Sequence, residues 1–195
     1  MSVVTEVVTE ATLQERIAAL GAEISTDYEG RQPICVAVLH GALPFLSDLT
    51  RHLPPSQVDI DFLMLTRFGH EGRVAIAMDT ADSLEGRHVL LVEDIVDTGL
   101  TLTTVRQLVE ARRPASFAVV TLLDKVARRI VDTPIDYRGF EVGDELLLGY
   151  GLDWEQRYRN LRSLWAVMDT AGFHADPGVL GRLVFESSGG DRLTR

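Results

Sequence analysis

Residues 89 to 102, VLLVEDIVDTGLTL, join a strand, an acidic pair, a glycine turn and a helix start without interruption. Val89 to Val92 form an unbroken apolar run, the pattern of a strand buried on both faces of a parallel sheet. Glu93 and Asp94 then place two carboxylates at its carboxyl end, where open α/β sheets set their ligand crevice. Asp97, Thr98, Gly99 and Thr101 are turn and capping types, after which Leu102, Val105, Leu108 and Val109 recur at helical spacing. A helix is therefore expected from Gly99 or Leu100. Its first amides have no intrahelical acceptor and sit at the positive end of the dipole, Gly99 permits close approach, and the threonines add hydroxyls. That combination is a phosphate cradle. Carboxylates beside it would accept hydrogen bonds from vicinal hydroxyls or hold a hard cation, so a ribose 5-phosphate with Mg2+ suits both halves. Taken singly, the acids would merely end a strand and Asp97 merely cap a helix; the ordered set favours a ligand.

The same strand–turn–helix logic recurs upstream. Ile34 to Leu39 read as a buried strand ended by His40-Gly41-Ala42, and Pro44 suits the opening turn of a helix to about Leu53, closed by Pro54-Pro55. Before it, Leu13, Ile17, Leu20 and Ile24 share a helical face over residues 12 to 28, with Thr12 and Glu15 as a capping box. Val58, Ile60, Phe62 and Met64 alternate as a strand, Thr66 to Arg73 with Gly69 and Gly72 read as a hairpin connection, and Val74 to Met78 continue as a strand. Phe117 to Leu123 give another strand, ending at Asp124-Lys125. Alternating strands and helices with short connections predict an α/β fold with a mainly parallel central sheet flanked by helices.

Beyond Lys125 the pattern changes. Asp136 to Val142, Leu146 to Tyr150 and Leu164 to Met168 are short strand candidates, with a polar helix or turn over Trp154 to Leu161. These are expected to form, with the N-terminus, a small lid spanning about 136–165. A single domain is thus expected over 1–170. Residues 171–195, polar and Gly-rich around the apolar cluster Val179 to Phe185, read as a weakly ordered tail or a contact element.

Composition narrows the function. Nineteen basic against 29 acidic side chains give a formal charge of −10, which opposes nonspecific binding to nucleic acid. Cys35 is the only cysteine, so neither an internal disulfide nor a thiolate metal cluster is available. No signal pattern or membrane-length apolar run occurs, and a cytoplasmic protein without a membrane partner is expected.

EDIVDTGLT resembles the phosphoribosyl diphosphate (PRPP) signature of type I phosphoribosyltransferases. LHGALPF, LLDK, DYRGFEV, GYGLDW and RYRNL, in that order over roughly residues 33 to 168, are similar to the hypoxanthine-guanine branch. The resemblance implies Mg-dependent transfer of a phosphoribosyl group from PRPP to a 6-oxopurine in purine salvage, by a homo-oligomer, dimer or tetramer. It implies that Glu93 and Asp94 hold the ribose hydroxyls, directly or through Mg2+, and that Asp97 accepts the purine N7 proton. Thr98, Gly99 and Thr101 would bind the 5-phosphate. His40 and Gly41 would lie on a loop that contacts pyrophosphate, often through a non-proline cis peptide, and Arg159 would reach the pyrophosphate too. Lys125 would donate to the 6-oxo group, Leu146 and Leu147 would line the base, and Asp153 would serve base and metal. The Thr66–Arg73 loop would close over the site.

Four positions depart from the family pattern. His40 stands for Lys or Arg, Leu100 for a common Lys, Arg67-Phe68 for Ser-Tyr, and Leu146 for the aromatic that stacks on the base. They keep open a transferase for another heterocycle and a non-catalytic regulator that senses PRPP or a nucleotide. LLVED also opens phosphoacceptor receiver domains, but there the acidic pair follows the first strand, whereas here strand candidates precede it. Phe45 and Leu49 suit an oligomer interface and core packing equally.

Overall fold

A computed structural model describes residues 2–54, 58–68 and 73–188. The chain divides into two compact units, Ala11–Asp144 and the combination of Met1–Glu10 with Glu145–Arg195.

The larger unit is built on a six-stranded sheet. Helix α1 (Glu10–Asp27) follows the N-terminal strand β1 (Val4–Val8). Then come β2 (Pro33–Leu39), α2 (Leu43–Thr50), β3 (Asp59–Phe68), β4 (Arg73–Met78), β5 (His88–Val96), α3 (Leu100–Glu110), β6 (Ser116–Asp124) and β7 (Tyr137–Glu141). The strand order is β4-β3-β2-β5-β6-β7, parallel throughout except for the β3–β4 hairpin. The mainly parallel α/β fold read from the sequence is the one observed. Parallel strands need both faces covered, and Val89, Leu90, Leu91 and Val92 are all fully buried. β5 does not stop at Val92. Its ladder with β6 runs on through Glu93↔Thr121 to Val96↔Asp124, so the acidic pair lies within the strand.

Several local boundaries differ from expectation. α1 begins at Glu10, so Thr12 sits inside the helix rather than capping it. α2 ends at Thr50, where the Arg51 amide donates to the Asp48 carbonyl and the His52 amide to the Leu49 carbonyl. In β3 the core-facing residue is Leu63, while Ile60 is half exposed. β7 pairs with β6 in the main sheet, Leu123↔Phe140 and Asp124↔Glu141, instead of joining the N-terminal strand. Phe45 and Leu49 are fully buried in the monomer and are not available to a partner. Cys35 is buried too, and burial pushes its thiol up to about 12, which leaves it inert at neutral pH. Pro55 and residues 69–72 of the expected closing loop, with Gly69 and Gly72, lie outside the described residues, and the rest of that loop belongs to β3 and β4.

The smaller unit is a three-stranded antiparallel sheet in the order β1-β9-β8, with β8 at Leu146–Leu148 and β9 at Leu164–Val167. Trp154 to Leu161 form turns and an isolated bridge rather than a helix. Residues expected to be a weak tail form α4 (Thr170–Ala175) and α5 (Val179–Ser188). Asp169 caps α4 by accepting from the Gly172 amide at 3.0 Å. Phe173 and Leu180 are fully buried with Val4, Leu148 and Val167, so these helices complete the unit's core. Among the described residues no helix is long and apolar enough to cross a membrane.

Removing the Phe173 ring should leave a cavity costing about 3–5 kcal/mol. Phe173→Ala is therefore expected to shift the denaturant midpoint of the full chain downward by a large fraction of its stability, read by circular dichroism. An unchanged midpoint would return these helices to the status of an appendage.

Candidate active site

At the carboxyl ends of β2 and β5 lies a cavity of about 400 Å3. It gathers His40, Gly41, Glu93, Asp94, Asp97, Thr98, Gly99 and Thr101, each singled out by sequence. This is the crevice position that a parallel sheet with helical crossovers dictates.

The glycine turn is held by backbone. Gly99 has φ +84° and immediately precedes α3, and a Cβ there would meet the Val131 carbonyl oxygen at 2.5 Å. Only glycine combines that conformation with that approach. The Thr98 carbonyl accepts from the amides of Ile130 at 2.9 Å and Val131 at 3.1 Å. The Gly99 carbonyl accepts from the amide and hydroxyl of Thr103, both at 2.9 Å. The segment after β6 thus straps the turn from outside, while Thr98, Gly99 and Thr101 line the cavity.

On the opposite wall the Leu39–His40 peptide bond is cis. Gly41 approaches Asp94 so closely that a Cβ would collide with its carboxylate. Asp94 Oδ1 accepts from the Ile95 amide at 2.8 Å. Glu93 is buried, and burial first, then the neighbouring Asp94 charge, pushes its carboxyl well above the usual range. Two carboxylates so placed repel, and a cation between ligand and protein would relieve both.

Asp97 Oδ1 accepts from Arg128 Nε at 2.7 Å, with both side chains nearly half exposed. Lys125 is buried at the end of β6, where its Nζ donates to the Asp144 carbonyl at 3.2 Å. Arg129 pairs with the fully buried Asp124 and packs its Cδ beneath Gly99. Sequence reasoning missed the roles of Arg128, Arg129 and Asp124: nothing local marks Arg128, whose partner Asp97 lies 31 residues upstream, and Arg129 with Asp124 reads as an ordinary strand-end pair.

The remaining expected residues fall in the smaller unit. Leu147 is buried and Leu146 partly buried on β8. Asp153 and Arg159 form an ion pair at 2.7 Å, and Arg159 also donates to the Gly151 carbonyl at 2.6 Å. Their loop carries Glu155 at φ +50°, Gln156 at +65° and Tyr158 at +75°, each a cost of order 1 kcal/mol for a residue with a Cβ. No group of three or more His, Cys, Asp or Glu side chains with metal-binding geometry occurs among the described residues.

The raised Glu93 carboxyl has a consequence for stability. Its contribution is complete below the ordinary value of 4.5 and is lost as pH climbs from there toward the raised value. Glu93→Gln removes that loss, so the variant should melt at a higher temperature than the parent at alkaline pH and near the parent's in acid, by scanning calorimetry. At Gly41 the added methyl must displace Asp94, an overpacking cost of about 1–3 kcal/mol. Gly41→Ala should lower the melting temperature, and Gly41→Ala with Asp94→Ala should recover part of it.

A model of the phosphoribosyl transferase domain matches residues 4–154. The hypoxanthine-guanine phosphoribosyltransferase of Bacillus subtilis is 41% identical over 158 residues, covering 79% of this chain and 87% of that one. The bifunctional protein TilS/HprT of Listeria monocytogenes is 45% identical over 158 residues, but this chain spans only 24% of its length. Among solved structures, a hypoxanthine-guanine phosphoribosyltransferase from Bacillus anthracis superimposes with a TM-score of 0.81 at 36% identity, covering 84% of this chain and 98% of that one.

Proposed function

The chain belongs to the phosphoribosyltransferase family, and from that premise we propose that it transfers the 5-phosphoribosyl group of PRPP to hypoxanthine or guanine, releasing pyrophosphate. The observation that carries the proposal is the joining, in one crevice, of a helix-start cradle at Gly99 to the carboxylate pair Glu93 and Asp94. A phosphate alone would not call for the acids, and a cation alone would not call for the cradle.

In this reading the start of α3, with the Thr98 and Thr101 hydroxyls, takes the 5-phosphate. Glu93 and Asp94 accept hydrogen bonds from the ribose hydroxyls. The C1–oxygen bond to pyrophosphate breaks as the C1–N9 bond to the purine forms, and the N7 proton passes to Asp97. The ion pair with Arg128 does not bar this. Exposed pairs contribute only about 0.2–1 kcal/mol, and a carboxylate has a second oxygen to offer. Lys125 would donate to the 6-oxo group, exchanging the Asp144 carbonyl for it; adenine, which presents a donor there, would be refused. His40 and Gly41 are assigned to the pyrophosphate side. The roles of Leu146 and Leu147 toward the base, of Asp153 toward base and metal, and of Arg159 toward pyrophosphate are part of the proposal and rest on the family pattern.

Mg2+ fits the donor set. It is held by one or two carboxylates plus substrate oxygens rather than by a dedicated protein cage, and Glu93 beside Asp94 gains most from a neighbouring positive charge. When bound it would neutralise charge on the leaving pyrophosphate. A cytoplasmic, homo-oligomeric enzyme acting on free purine base and PRPP is the setting proposed. The substitution Leu146 keeps a second reading in view, transfer to another heterocycle, because leucine covers a base by apolar contact without a π face.

A spectrophotometric assay with PRPP, Mg2+ and a panel of bases tests the reading. Turnover is expected with hypoxanthine or guanine and not with adenine, and Asp97→Asn is expected to lower kcat by about 10²–10⁴. An Asp97→Asn variant as fast as the parent would remove Asp97 from its role, and reaction with only another base would select the second reading. PRPP binding without turnover of any base would leave a sensor.

A further inference from the structure

The loop from Asp153 to Arg159 holds three non-glycine residues, Glu155, Gln156 and Tyr158, in the left-handed region. Such a conformation persists only where neighbouring contacts over-determine it. Those contacts come from the segment after β9. Trp154 stands edge-on to the Phe173 ring, with centroids 5.8 Å apart, and lies against the His174 ring at 4.7 Å. Tyr158 packs on the same Phe173 at 6.3 Å and donates its hydroxyl to the Pro177 carbonyl. Each anchored aromatic is the sequence neighbour of a charged residue with an assigned role: Trp154 follows Asp153, and Tyr158 precedes Arg159.

We propose that the segment Asp169 to Gly178 is a clamp that holds the strained Asp153–Arg159 loop in the conformation that pairs those two side chains, and thereby positions Arg159 for the pyrophosphate end of PRPP. The proposal rests on the transferase reading for its functional half and on geometry alone for the clamp. The matched family domain ends at residue 154, so α4 and α5 lie outside it. Nearly all of the Asp153–Arg159 loop lies beyond it too, so the clamp and the loop it holds belong to the same stretch of chain. Tyr158, His174 and the Pro177 carbonyl act through the loop backbone and are positioning groups, not groups that touch substrate.

Phe173→Ala would empty the core, so the test uses Tyr158→Phe with His174→Ala in the full chain. This removes the hydroxyl bond and one ring while leaving the Tyr158–Phe173 packing. Two readouts separate the halves. Trypsin cleavage after Arg157 and Arg159, located by mass spectrometry, should accelerate about tenfold, the factor that 1.4 kcal/mol produces. KM for PRPP should rise several-fold with little change in kcat. His174→Phe, which keeps a ring on Trp154, should behave as the parent in both. Cleavage at the parent's rate would overturn the clamp. Faster cleavage with an unchanged KM for PRPP would overturn its link to the substrate. A parent that turns over no base would instead refute the transferase reading, with the cleavage rates still deciding the clamp.

Discussion

The ladder between β5 and β6 is the constraint from which the crevice follows. Because it runs past Val92 to pair Val96 with Asp124, it carries Glu93 and Asp94 into the sheet as strand residues. Glu93 thereby sits in a buried environment and Asp94 lies against Gly41, with both lining the same crevice. The same ladder brings the residues after β6 alongside those after β5. That adjacency lets the Ile130 and Val131 amides seize the Thr98 carbonyl. A shorter ladder would leave the acids on a loop and the glycine turn without its strap.

The cost of the arrangement is concentrated at Glu93. A fully buried carboxyl next to another acid favours its neutral form, and nothing in packing requires an acid there, since the strand residues before it are apolar. An unfavourable group at the mouth of a crevice is what a ligand-binding site tends to retain. The glycines show the complementary economy: Gly41 and Gly99 are both positions where a side chain would occupy space belonging to Asp94 or Val131.

Much of this was legible in the sequence because it is local. The apolar run, the acids, the turn residues and the helical period lie within 89 to 102, and each restricts its neighbours. What sequence could not settle depends on distant partners. β7 reads as a short strand, but its place beside β6 is decided by the Leu123–Phe140 register and not by its own residues. The alternation of Ile60, Phe62 and Met64 marks a strand, yet the residue that enters the core is Leu63, because the packing on each face of the sheet decides which parity turns inward. Residues 171 to 185 read as a tail since glycine, proline and aspartate dilute the signal, and two side chains, Phe173 and Leu180, carry the burial.

The two units hold unusual backbone by different means, and the difference explains which residues occupy it. At Gly99 the space that a Cβ would take is filled by Val131 and Arg129, so the left-handed turn requires glycine and the strap can close on it. In the Asp153–Arg159 loop, Glu155 and Gln156 project into solvent and Tyr158 inward, so side chains are sterically admissible and the penalty is conformational alone. A penalty of that kind needs an opposing contact elsewhere. The aromatic cluster around Phe173 supplies it, and Tyr158 belongs to both the strained backbone and the packing that offsets it. A glycine at position 158 would relax the backbone and lose the anchor together; for that reason a residue unfavourable by local propensity is the one that fits.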